Sequence, residues 1–111
     1  MTVLRLLSAT LLLLTLGSAP ALSERARKPV THTVTIDATR FEPEVLTIKA
    51  GDSVIWVNKD VIPHTATSQA GGFDSGTIAT GASWKHGFRQ KGAFEYLCAF
   101  HPTMKGKLKV E

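Results

Sequence analysis

The sequence predicts an all-β fold, a sandwich or barrel of short strands. Three observations predict it. Runs rich in Val, Ile, Thr and aromatic residues alternate between apolar and polar positions. Gly, Pro, Asp and Asn interrupt these runs at short intervals, and no stretch sustains a helical period. A chain of 111 residues holds one domain with one modest core, and nothing in it repeats.

The elements follow in order. From Val30 to Asp37, Val34 and Ile36 share one face, Thr33 and Thr35 the other. Val45 to Lys49 leads through the Ala50-Gly51-Asp52 turn into Ser53 to Asn58, where Val54 and Trp56 oppose Ile55 and Val57. Ser83 to Arg89 and Gly92 to Leu97 are further strands, and Gly106 to Val110 closes the chain. In Lys105-Gly-Lys107-Leu-Lys109 charge alternates with small or apolar residues, the pattern expected on the solvent face of an edge strand. Residues 59–82 differ, with clusters such as Ala70-Gly71-Gly72 and Asp74-Ser75-Gly76. A long loop on a small rigid scaffold is where function is expected.

The first residues read as an export signal rather than as fold. Arg5 supplies the positive start, Leu11 to Leu16 an apolar core, and Ala19-Pro20-Ala21 the small-x-small cleavage pattern. The apolar core is short against the roughly 20 residues of a spanning helix. The expected organisation is a signal peptide over 1–21, a polar lead-in over 22–29 and the domain over 30–111. Export implies a periplasmic location in a Gram-negative cell. Loss of Arg5 lowers the formal charge from +4 to +3. The basic residues lack the dense, aromatic-interleaved clustering of a nucleic-acid surface. The lone Cys98 cannot form an intramolecular disulfide, so it is a buried small hydrophobe, an intermolecular link or a ligand.

The informative stretch is Tyr96-Leu-Cys98-Ala-Phe-His101-Pro-Thr-Met104. A soft thiolate, an imidazole and a thioether stand at Cys-x-x-His-x-x-Met spacing directly after a strand. Each alone has a bland reading as core or surface residue; together they suit a copper ion held in both its Cu(I) and Cu(II) states. Trigonal His₂Cys with a weak axial Met is the geometry of blue-copper electron transfer. The second histidine is expected to be His64, after Pro63 in the long loop, because His32 and His86 lie within strands and read as solvated. Structural zinc prefers several Cys and His and seldom uses Met.

These residues resemble the cupredoxins, and within them the match to the amicyanins is close. It rests on Phe41-Glu-Pro43, Ile48-Lys-Ala-Gly51-Asp52, Val54-Ile-Trp56-Val-Asn58, Pro63-His64, Gly92-Ala-Phe94-Glu-Tyr96-Leu-Cys98 and His101-Pro-Thr-Met104-Lys-Gly106-Lys-Leu-Lys-Val110. The resemblance implies a Greek-key β-sandwich with one copper ion at one end. It implies equatorial His64, Cys98 and His101, a long axial Met104, and no open position for a substrate. It implies a monomeric electron shuttle, with an amine dehydrogenase as donor and a c-type cytochrome as acceptor. The competing reading is a periplasmic carrier or store that delivers copper itself; an enzyme is disfavoured because Met104 fills the axial place. By the same likeness His101 has an edge at the surface, ringed by Ile62, Pro63, Phe100, Pro102 and Thr103.

Three positions depart from the amicyanin pattern. Thr65 stands where an asparagine ties the ligand loops, so one hydroxyl replaces an amide. Phe100 stands where a proline removes an N–H, which predicts a second hydrogen bond to Cys98 sulfur and a higher reduction potential. Thr103 replaces a bulky residue of the expected docking patch, so the donor is expected to differ.

Overall fold

The computed structural model describes residues 27–111; the expected signal peptide and most of the lead-in lie outside the described residues. Nine strands and no helix make up the described chain: β1 (Thr31–Asp37), β2 (Arg40–Glu42), β3 (Val45–Ile48), β4 (Ser53–Asn58), β5 (Thr67–Ser68), β6 (Phe73–Asp74), β7 (Ser83–Gly87), β8 (Gly92–Cys98) and β9 (His101–Val110). They form two mixed sheets, ordered β2-β1-β4-β7 and β3-β9-β8-β5-β6. β1 runs parallel to β4, and β3 parallel to β9, with the remaining pairs antiparallel. The architecture is the expected sandwich.

Alternation decides what is inside. Val34 and Ile36 of β1, Val54 and Trp56 of β4, and Leu108 and Val110 of β9 all turn inward and are buried. Each such side chain contributes about 1.5–3 kcal/mol when removed from water. Trp56 is the hub. Its ring lies 5.6 Å edge-on from Tyr96, 5.5 Å from Trp84 and 5.7 Å from Phe73, so residues of both sheets close on one indole. Tyr96 passes over Gly106 of β9 so closely that a Cβ there would overlap the phenol ring.

Three expectations change. The Lys105–Lys109 stretch is not an edge strand: β9 starts at His101 and lies between β3 and β8, hydrogen-bonded on both sides. Alternation reports which face is wet, not whether the backbone has a free edge. His32 and His86 are half-buried rather than solvated. His32 shares the inward parity of Val34 and Ile36 and bonds Asp52 through Nε2 at 2.9 Å. His86 lies flat on Trp84, with ring centres 5.1 Å apart. Finally, the 59–82 span is not all loop, because β5 and β6 form a short hairpin attached to β8 through Thr67 opposite Leu97.

At the start of β1 and β4, buried Asp52 accepts the backbone N–H groups of Val30 and Lys49 as well as His32 and Arg27. The end of the lead-in is thus bound to the domain at Arg27, 2.9 Å from the carboxylate. Among the described residues no helix is long and apolar enough to cross a membrane.

Candidate metal centre

Two loops meet beyond the other ends of β4 and β8. Asn58, the last residue of β4, is fully buried and shapes the first loop. Its amide donates to the carbonyls of Ile62 and Ile78 at 2.9 Å, and its Oδ1 accepts Asp60 N–H at 2.9 Å. The loop is pinned again where His64 exchanges both backbone hydrogen bonds with Ile78. His64 is consequently held at zero exposure. The second loop is the tight connection from β8 to β9, where Cys98 pairs with His101 across a register shift.

Three of the four side chains expected to act together meet at this end, His64, Cys98 and His101. His64 Nδ1 lies 3.6 Å from Cys98 Sγ. The rings of His64 and His101 are 5.5 Å apart, centre to centre. Cys98 and Met104 are buried, while His101 is half-buried. Among the described residues no three His, Cys, Asp or Glu side chains form a closed chelating group. The directly touching pair is His64 and Cys98, with His101 outward of it. On donor chemistry the set fits copper: two imidazoles, one thiol and one thioether, soft and borderline ligands together.

The surroundings favour a thiolate. Burial pushes the Cys98 thiol up, but hydrogen bonds outweigh it, foremost Thr65 N–H at 3.3 Å, with the backbone N–H groups of Phe100 and His101. The net result is a thiol held below its ordinary range. Phe100 N–H acts on the sulfur as its replacement of proline led one to expect.

Asp60 was not anticipated from the sequence. Its Oδ2 stands 2.8 Å from His64 Nε2 and accepts Thr39 N–H at 2.8 Å, while Oδ1 accepts Val61 N–H at 2.8 Å. Thr39 N–H foremost, then His64 and Val61 N–H, holds this carboxyl below the usual carboxylate range. A carboxylate facing Nε2 fixes the ring as the Nε2–H tautomer and leaves Nδ1 with its lone pair toward the sulfur. Thr39 reaches Asp60 from the β1–β2 turn, where Ala38 and Thr39 both take positive φ (49° and 57°), uncommon for a β-branched residue. The sequence signal for Asp60 was its place four residues before His64 in a loop opened by Asn58.

Thr65 ties the loops through two bonds: its N–H to Cys98 Sγ, and its Oγ1 accepting Ala99 N–H at 2.8 Å. Val61 and Ile62, on the loop that leads to His64, are 87% and 36% exposed, and Phe100, directly before the half-buried His101, is 51% exposed.

Comparison with known proteins agrees with this fold. The profile of the Cupredoxin-like domain matches residues 6–110. Amicyanin of Paracoccus versutus is 32% identical over 83 residues, covering 70% of this chain and 63% of its own. The chain therefore spans somewhat less than two thirds of that relative's length. Plastocyanin of Scenedesmus fuscus is 33% identical over 84 residues, covering 64% of this chain and 86% of its own. The solved reduced state of a proline-to-phenylalanine mutant of amicyanin superposes with a TM-score of 0.68 at 29% identity, covering 73% of this chain and 82% of that one. On strand order, sequence and superposition alike, the chain belongs to the cupredoxin-like family, whose cofactor is a single copper ion.

Proposed function

We propose that this protein is a periplasmic carrier of single electrons between redox proteins, with copper held by His64, Cys98, His101 and Met104. The contact between His64 Nδ1 and Cys98 Sγ, under a sulfur already receiving backbone N–H groups, carries the reading. Copper bound there supplies one electron by cycling between Cu(I) and Cu(II).

The chain's own residues do the rest. Cys98 offers a thiolate that favours the reduced ion, and His64 and His101 offer imidazoles that serve either state. Asp60 and Asn58 hold His64 in one orientation from one loop. Thr65 holds Cys98 and Ala99 from the other side. A site fixed by its scaffold moves little between oxidation states, which keeps the barrier to electron exchange low. With Met104 as a fourth ligand, the set would leave no position for a substrate. The exposed apolar side chains of Val61, Ile62 and Phe100, on the two loops that lead to His64 and His101, suit brief encounters with a redox partner. An amine dehydrogenase as donor and a c-type cytochrome as acceptor accord with the amicyanin likeness, and a monomer accords with the few exposed large apolar side chains.

The test is spectral and electrochemical. One equivalent of copper gives an intense blue band and reversible one-electron voltammetry, and Cys98→Ser abolishes both. A blue Cys98→Ser variant, or a wild type that binds only colourless Cu(I), overturns the assignment.

A further inference from the structure

The tie between the two ligand loops has a direction. Ala99 N–H donates to Thr65 Oγ1 at 2.8 Å, Thr65 Oγ1 is 2.9 Å from Thr67 Oγ1, and the Thr67 hydroxyl donates to Asp74 Oδ1 at 3.0 Å. A hydroxyl has one proton to give, whereas a carboxylate only accepts. Asp74 takes the Thr67 proton, so Thr67 accepts from Thr65. The Thr65 proton is then committed as well, and its lone pairs are left for Ala99 N–H. An exposed carboxylate on β6 thus sets the polarity of a chain that ends at the residue following Cys98.

A second observation points the same way. β5 and β6 are two residues each, and Thr67 opposes Asp74 in their register while also pairing with Leu97 of β8. Gly76, at φ 62°, turns its own N–H onto the same Asp74 oxygen at 2.9 Å. The hairpin is built around this carboxylate and sits against the strand that delivers the thiol.

We propose that Thr67 and Asp74 are positioning residues for the metal centre: they orient the Thr65 hydroxyl so that it holds the Ala99 backbone while Thr65 N–H holds the Cys98 sulfur. This rests on reading His64 and Cys98 as ligands. It explains how one hydroxyl secures two loops: the bond to Ala99 is buttressed by two further hydrogen bonds that reach a separate hairpin.

Amide hydrogen exchange by NMR tests it on the full chain, both metal-free and loaded with Cu(I). Thr67→Val keeps the shape and removes the hydroxyl. Ala99 N–H is expected to exchange about threefold to tenfold faster, the size of one buried hydrogen bond. The N–H groups of Trp56 and Leu108 keep their protection, which separates a local effect from general loosening. Thr67→Ser restores the wild-type rate at Ala99. Asp74→Ala raises the rate similarly, and the double variant adds little, because both changes break one chain. Unchanged exchange at Ala99 in both single variants, or fully additive effects, overturns the proposal. The metal-free arm distinguishes its failure from that of the ligand reading, since the chain of bonds stands without metal while Cys98→Ser tests metal binding separately.

Discussion

The Asp60 carboxylate stands 2.8 Å from Nε2 of His64, and both groups are buried beneath the loop that follows β4. The pair couples a hairpin turn to a proposed metal ligand, since the same carboxylate oxygen accepts Thr39 N–H. Removing such an outer partner typically costs ten- to a hundredfold in metal affinity. Asp60→Ala is therefore expected to weaken copper binding by about that factor, read by competition titration against a chelator. Unchanged affinity would show that Asn58 and Ile78 alone orient the ring.

Phe100 N–H belongs to the donor set around the sulfur, and a proline there has none to give. These bonds offset charge on the electron-rich thiolate, and so favour the reduced centre. Phe100→Pro is expected to lower the reduction potential by roughly 20–60 mV, the one-electron equivalent of a hydrogen bond of about 0.5–1.5 kcal/mol. Voltammetry of the two proteins decides it; a rise or no change refutes it.

Asp52 makes stability depend on acid. Burial pushes its carboxyl up, but hydrogen bonds from Val30 N–H, His32, Lys49 N–H and Arg27 outweigh this and hold it well below the ordinary range. A carboxyl with a depressed value in the folded state stabilises the fold above its unfolded value of about 4, and that contribution is lost as pH falls below it. Thermal unfolding should therefore show a midpoint that falls with acidification. Asp52→Asn should destabilise the neutral protein by about 2 kcal/mol and flatten the acid decline. An equally steep decline in the variant would assign the effect to other carboxyls.

Gly106 is a close-approach glycine. A Cβ there meets the ring and hydroxyl of Tyr96, a buried residue two positions before Cys98. Gly106→Ala is expected to cost about 1–3 kcal/mol by overpacking, measured by chemical denaturation. Gly51→Ala has open space around the added methyl but strains a φ of 97°. Its loss should come from backbone conformation alone and be smaller.

The donor chemistry was legible in the chain because it is local. Cys98, His101 and Met104 are separated by two residues each, so one short stretch declares it without any fold. Alternation likewise set Val34 with Ile36, and Val54 with Trp56, on common faces, since side-chain parity is a property of the strand itself; for β4, apolar on both faces, packing chose the buried one. The same parity placed His32 and His86 inward, although their polar character made them read as wet. β5 and β6 escaped notice because two-residue strands carry no period.

What the sequence determined by itself was the sandwich class, which residues share a strand face and the compact Cys-x-x-His-x-x-Met stretch, all products of short-range spacing and periodicity. The tertiary structure decided which groups stand around that loop. Only the packing of the β4 end against the β8 end sets His64 Nδ1 beside Cys98 Sγ, across 34 residues of chain. Only the turn at Thr39 and the hairpin at Asp74 bring their hydrogen bonds to Asp60 and Thr67. The physical reason is range: a hydrogen bond is satisfied by any partner within about 3 Å in space, and sequence order does not say which segment will supply it.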